Sequence, residues 1–213
     1  MSAGGELHER ELIKWLRASQ QKRHPGVVVD VGDDAAVVAP AAERNLMLTT
    51  DPLVDGIHFR LQEAGPEAAG WKAAMRAISD IAAMAGRPRW ALVALCLPRG
   101  INRRTVESFS AGLRLACRSL ETDLIGGDIT ATPGPLTAVV TVIGETGPAG
   151  PVRRSGAHVG DRVCVTGRLG GSLLGRHLRF TARVPEGLAL ARMAELHAMI
   201  DLSDGLSTDG HHI

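Results

Sequence analysis

Apolar, β-branched runs in this chain repeatedly end in acidic or hydroxyl residues, and that habit limits what it can fold into. GDD ends at Asp34, LTTD supplies Thr49, Thr50 and Asp51, LIGGD ends at Asp128, ISD places Asp80 on a helix, and DLSD carries Asp201, Ser203 and Asp204. Any one of these is an ordinary turn or cap former. Together they deliver carboxylates from separate strand and helix ends to one edge of a sheet, where like charges repel unless cations sit between them. Oxygen donors with few carboxylates per ion, completed by water and phosphate oxygens, are the ligand set of a hard divalent cation. The histidines and cysteines show no ligand spacing, which argues against a transition-metal site. The expectation is a Mg2+–phosphate site.

The pattern of elements agrees with a sheet that has such an edge. Residues 6–19 put Leu12, Ile13, Trp15 and Leu16 on one side of a short amphipathic helix. VVVDVGDDAAVV reads as strand, turn, strand around Gly32-Asp33-Asp34, and LMLTTD (46–51) as a further strand. A helix runs from Pro66 to Ala85 and stops at Gly86. RWALVALCLP is apolar at nearly every position, as a strand buried on both faces is. Asn102 caps a helix whose apolar positions Val106, Phe109, Leu113, Ala116 and Leu120 step by threes and fours. DLIGGD and LTAVVTVIGE follow as strands, joined by the turn-rich ITATPGP. The order β, β, α, β, α, β, β gives one mixed sheet with flanking helices, an α/β or α+β domain. At 147–160 the composition shifts to Gly, Pro and Arg, which divides the chain into domains 1–149 and 150–213. The second holds a strand, DRVCVTG, helical stretches, and a short strand HAMI before DLSD. It is too short for a full core of its own.

Composition removes several classes of function. The 213 residues carry 24 Lys+Arg against 23 Asp+Glu, a net charge of +1 that supplies no field for nucleic acid or an anionic membrane. There is no Tyr, so no Tyr-dependent chemistry is open to it. Cys96, Cys117 and Cys164 each lie in an apolar run, as buried free thiols do, with no pairing for a disulfide or zinc site. The start is charged, without a signal peptide's apolar stretch, and the longest apolar run is far short of a bilayer span. A cytoplasmic protein is expected. No P-loop or protein-kinase motif set is present. VCVTGRLGGS suggests a dinucleotide loop, but Gly167, Gly170 and Gly171 are not spaced as GxGxxG. His58, a polar residue between two apolar ones in DGIHF, reads as a core or surface residue or else a catalyst, and the pair Arg153-Arg154 is a candidate bidentate contact for phosphate.

GDDAAVV, TTDPLVDGIHF, AISDIAAMAGRP, LIGGDIT, RRSGAHVGDRVCVTGRLGGS and DLSDGLSTD occur here in one order over residues 25–213. That set resembles the thiamine-monophosphate kinases, of the aminoimidazole ribonucleotide synthetase-like ATP-binding superfamily. The resemblance implies a two-domain synthetase-like fold, a homodimer formed through the N-terminal domain, and MgATP between domains. It implies phosphorylation of thiamine monophosphate to thiamine diphosphate by direct transfer, with no covalent nucleophile or general base. By motif position, Asp34, Thr49, Thr50, Asp51, Asp80, Asp128, Asp201 and Asp204 would hold magnesium. Gly127, Asp128, Arg154 and Ser203 would touch ATP, and His58 would line the thiamine phosphate site. The chain departs from the family at Ile129, where a hydroxyl is usual, and at Ala77, where Asn is common. Its second domain is expected to be incomplete, lacking a GEDYEL-like segment. Another ATP-dependent synthetase or maturation factor of the superfamily is the alternative, as is a nucleotide-binding dimer without turnover.

Overall fold

The computed structural model describes residues 26–29, 37–42 and 44–213. Val27–Val29 (β1) and Val37–Val38 (β2) pair antiparallel in a small ribbon. The helix expected at 6–19 and the Gly32-Asp33-Asp34 turn lie outside the described residues. Leu46–Val54 (β3), Arg87–Pro98 (β4), Asp123–Thr132 (β5) and Thr137–Glu145 (β6) form one sheet in the order β3-β6-β4-β5. Only β4 and β5 run parallel, so the sheet is mixed as expected.

Two long helices cover one face of that sheet. Leu61–Ala64 (α1) is a single turn leading into Pro66–Ala82 (α2), which starts with Pro at its first position. Arg103–Ser119 (α3) is capped by Asn102, whose Oδ1 accepts the Thr105 N–H at 2.8 Å. Side chains on β6 alternate between buried Ala138, Val140 and Val142 and half-exposed Thr137, Val139 and Thr141. Leu53, Ala91, Leu95, Ala74, Ile78, Phe109 and Leu113 complete the core between helices and sheet. The helices touch backbone to backbone. A Cβ on Gly70 would lie 1.9 Å from the Phe109 carbonyl oxygen, and one on Gly112 would lie 1.9 Å from that of Glu67.

The C-terminal part leans on the other side of α2. Arg176–Arg179 (α4) and Val184–Met193 (α5) pack against it, and Leu206–Asp209 (α6) closes the chain with a 3-10 turn at Gly210–His212. Trp71 Nε1 donates to the Phe180 carbonyl at 2.6 Å, the Ala182 N–H donates to Met75 Sδ at 3.3 Å, and Ala182 and Val184 are both buried.

The structure corrects several expectations. β1, β2 and β3 precede the first long helix, matching the three strands read there but one more than the element order β, β, α, β, α, β, β counts. β4 is covered by helices on one face only, and Ala94 on its other face is exposed. β5 runs on through Ile129–Thr132, because Asp128 to Thr132 stay in register with Ala94 to Pro98; the turn is confined to Pro133-Gly134. DRVCVTG and HAMI are not strands. Among the described residues neither has a partner strand, and an unpaired strand leaves its backbone groups unsatisfied. Cys164 is consequently exposed, Cys96 is half-buried, and only Cys117 is buried, its thiol pushed up to about 12 chiefly by burial.

Adding a methyl at either helix contact forces α2 and α3 apart. Gly70→Ala and Gly112→Ala are each expected to lower unfolding free energy by about 1–3 kcal/mol or more, read by denaturant titration. Wild-type stability in both variants would contradict the contact.

Candidate functional site

Strand alternation divides the TTD motif. Thr49 and Asp51 share the helix-covered face of β3 with Met47 and Leu53, while Thr50 points to the opposite face and meets Thr141, Oγ1 to Oγ1, at 3.1 Å. Thr49 Oγ1 donates to Asp80 Oδ2 at 2.5 Å. Asp80 is one of four polar residues, Lys72, Arg76, Ser79 and Asp80, that helical spacing brings along one stripe of α2. Arg76 grips Asp51 with both arms of its guanidinium, Nε to Oδ2 at 2.9 Å and Nη2 to Oδ1 at 3.0 Å. Ser79 Oγ donates to Asp201 Oδ2 at 2.9 Å, which draws the DLSD segment onto the same end of the helix.

Three carboxylates therefore come within electrostatic range of one another. Burial pushes the Asp51 carboxyl above its usual value; the Arg76 charge and hydrogen bond pull it down, and Asp201 pushes it up again. Burial likewise raises Asp201, against the Ser79 hydrogen bond, and the Asp80 charge adds to the rise while Arg154 opposes it. Cations line the other flank. Lys72 is buried, with Nζ donating to the His58 carbonyl at 2.6 Å and lying 2.9 Å from His177 Nδ1. Burial holds the Lys72 ammonium below its ordinary value, with Arg76 acting the same way and Asp51 opposing. His58 Nδ1 accepts the Val54 N–H at 2.9 Å, which leaves the ring proton on Nε2. Burial, Arg76 and Lys72 all lower its pKa, so the ring is neutral at neutral pH.

Not every expected residue joins this cluster. Asp34 lies outside the described residues. Pro52, Val139, Ala94 and Asp128 share one row across the sheet, so Asp128 stands on the far edge, three strand spacings or about 14 Å from β3. It is exposed, and its Oδ1 accepts the Ile129 N–H at 2.9 Å. Gly127 has no room for a side chain, since a Cβ there would lie 2.0 Å from the Val93 carbonyl oxygen. Arg154, Ser203 and Asp204 are exposed. Ala77 is fully buried.

Sequence reasoning passed over Lys72, Arg76, Ser79 and Asp209. The first three were visible as polar residues three and four apart in an otherwise Ala- and Met-rich helix. Asp209 is buried, and its Oδ2 accepts the N–H groups of Asp204 and Gly205 at 3.0 and 2.9 Å, fixing the DLSDG turn. Half-buried carboxylates facing hydroxyls, with a lysine and an arginine alongside, fit a hard cation bridging to an anion.

Raised carboxyl pKa values mean that the folded chain binds protons more readily than the unfolded chain between the ordinary value of 3.8 and the raised ones. Stability contributed by these groups falls as pH rises through that window. In cation-free buffer Asp201→Asn should raise the thermal midpoint by a few degrees at neutral pH, with the advantage shrinking toward acid. An advantage independent of pH would contradict the coupling.

Residues 32–146 match the family of AIR synthase related proteins, N-terminal domain. Thiamine-monophosphate kinase of Rhodopirellula baltica is 38% identical over 208 residues, covering 94% of this chain, and the chain spans 65% of that relative's length. The crystal structure of thiamine-monophosphate kinase from Stenotrophomonas maltophilia K279a superimposes with a TM-score of 0.75 at 31% identity, over 95% of this chain and 69% of that one. AaThiL complexed with AMPPCP and TMP gives 0.70 at 32% identity, over 96% of this chain and 68% of that one. The chain belongs to the thiamine-monophosphate kinase family, within the AIR synthase related proteins.

Proposed function

We propose that the chain transfers the terminal phosphoryl group of ATP to thiamine monophosphate, giving ADP and thiamine diphosphate. The observation that carries the reading is the gathering of Asp51, Asp80 and Asp201 with Thr49 and Ser79 beside the cations of Lys72 and Arg76. It is supported by the structural neighbour complexed with AMPPCP, an ATP analogue, and TMP. Asp51, Asp80, Asp201 and Thr49 would hold Mg2+, with Asp204 of the same DLSD segment nearby; of the other residues that the motifs assign, Asp34 lies outside the described residues, and Thr50 and Asp128 stand apart from this cluster. Bound Mg2+ would supply neutralisation of the charge that accumulates where two phosphate groups meet.

The chain's own residues position the reactants. Gly127, Asp128, Arg154 and Ser203 would contact ATP. His58, neutral and carrying its proton on Nε2, can donate to the thiamine phosphate, with Lys72 and Arg76 close behind it. The nucleophile is a phosphate oxygen already ionised at neutral pH, so no general base is required. A bond forms from that oxygen to the terminal phosphorus as the bond from phosphorus to the bridging oxygen breaks, and ADP carries away the charge. We place the domain boundary at 149/150, close to where the N-terminal family match ends. We also propose a homodimer, supported by Leu46 and Leu48, which are 40% and 70% exposed on the uncovered face of edge strand β3. Among the described residues no helix is long and apolar enough to cross a membrane, in keeping with work on soluble phosphates in the cytoplasm.

Incubation with ATP, Mg2+ and thiamine monophosphate should yield thiamine diphosphate by chromatography, none without Mg2+, and roughly 100-fold less with Asp80→Asn. ATP binding without product would identify a nucleotide-binding chain rather than a kinase. Product formed equally without Mg2+ would overturn the metal assignment.

A further inference from the structure

Spacing in the sequence shows no histidine set for a metal, yet the fold assembles one from residues outside the carboxylate cluster. His158 and His197, 39 residues apart, bring their Nδ1 atoms to 3.4 Å, with the rings edge to face at a centroid distance of 4.9 Å. Asp161 completes the group: its two carboxylate oxygens lie 3.0 and 2.9 Å from His197 Nδ1. Among the described residues these three offer ligand atoms all within 4.8 Å of one another. We propose that His158, Asp161 and His197 form a binding site for a divalent transition-metal ion such as Zn2+.

Geometry and chemistry both support this. A tetrahedral ion with bonds of about 2.0–2.1 Å sets its nitrogen ligands about 3.3–3.4 Å apart, and the two imidazole nitrogens already stand at 3.4 Å. Two imidazoles and a carboxylate are a borderline donor set, suited to Zn2+ and its neighbours rather than to Mg2+. Three protein ligands at an exposed position leave the fourth place to water. Asp161 raises the His197 pKa by hydrogen bond and charge.

The ligands are held in place before any ion arrives. Asp161 Oδ2 accepts the His158 N–H at 2.7 Å, closing the turn that carries both. Met199 N–H donates to the Arg153 carbonyl at 3.1 Å. A Cβ on Gly156 would lie 2.3 Å from the His197 carbonyl oxygen, so only glycine allows the two segments to approach this closely. Glu195 Oε1 lies 3.9 Å from His197 Nε2, adding negative charge behind the ring. An ion here would cross-link the 153–161 loop to the segment that runs directly into Asp201.

The test is titration of Zn2+ into the whole chain with excess Mg2+ present to saturate the carboxylate cluster, followed by Co2+ and its visible absorption. One equivalent should bind, with Co2+ giving the intense bands of a tetrahedral nitrogen–oxygen site. His197→Ala and His158→Ala, both at exposed positions, should weaken binding roughly 100-fold, while the double variant His211→Ala/His212→Ala should keep it. Absence of Zn2+ binding in the wild type, or an unchanged equivalent in His197→Ala, would overturn the proposal. Because the readout is metal binding, either result stands apart from whether the chain is a kinase.

Discussion

Repulsion among the half-buried carboxylates of Asp51, Asp80 and Asp201 is the constraint that the surrounding structure answers. Burial alone disfavours ionising Asp51 and Asp201, and neighbouring carboxylate charge adds to the cost. Arg76 offsets part of it at Asp51 and the Ser79 hydroxyl part at Asp201, while the Thr49 hydroxyl donates to Asp80. The remaining deficit is what would make the cluster a receptor for the cation we propose there, since an ion that binds the folded chain would recover stability that the carboxylates have forfeited.

Holding three like charges together requires a rigid support, and α2 is that support. One stripe of it carries Lys72, Arg76, Ser79 and Asp80. The stripe beneath, with Ala73, Ala74, Ile78 and Ala82, is core. Small residues let α2 sit close to α3, and the Gly70 and Gly112 contacts set that distance by backbone touching backbone. A shift of α2 would move Arg76 from Asp51 and Ser79 from Asp201 together. Packing and electrostatics are thus coupled through one helix.

Much of this was legible in the sequence because the signals were local. Period-two and helical spacing located the four-stranded sheet and both long helices, and Asn102 marked its helix start. Strand ends rich in Asp pointed to residues on β3, α2 and the DLSD segment that the fold brings together. Long-range information was missing. The order β3-β6-β4-β5 is what separates Asp128 from Asp51, and nothing in LIGGD shows which edge its strand occupies. Apolar spelling also misled at DRVCVTG, because a strand exists only where a second strand accepts its hydrogen bonds. His158 and His197 were invisible as a pair for the same reason: a loop closure, not a spacing, brings them together.

The central claim is that one end of α2 and the neighbouring strand β3 gather carboxylates around a metal-bound phosphate. Crystals grown with Mn2+ and AMPPCP would test it directly through anomalous diffraction. The account predicts Mn2+ peaks in contact with Asp51, Asp80 and Asp201, with the analogue's phosphate oxygens completing the coordination. Bound AMPPCP with no Mn2+ at those three carboxylates would contradict it.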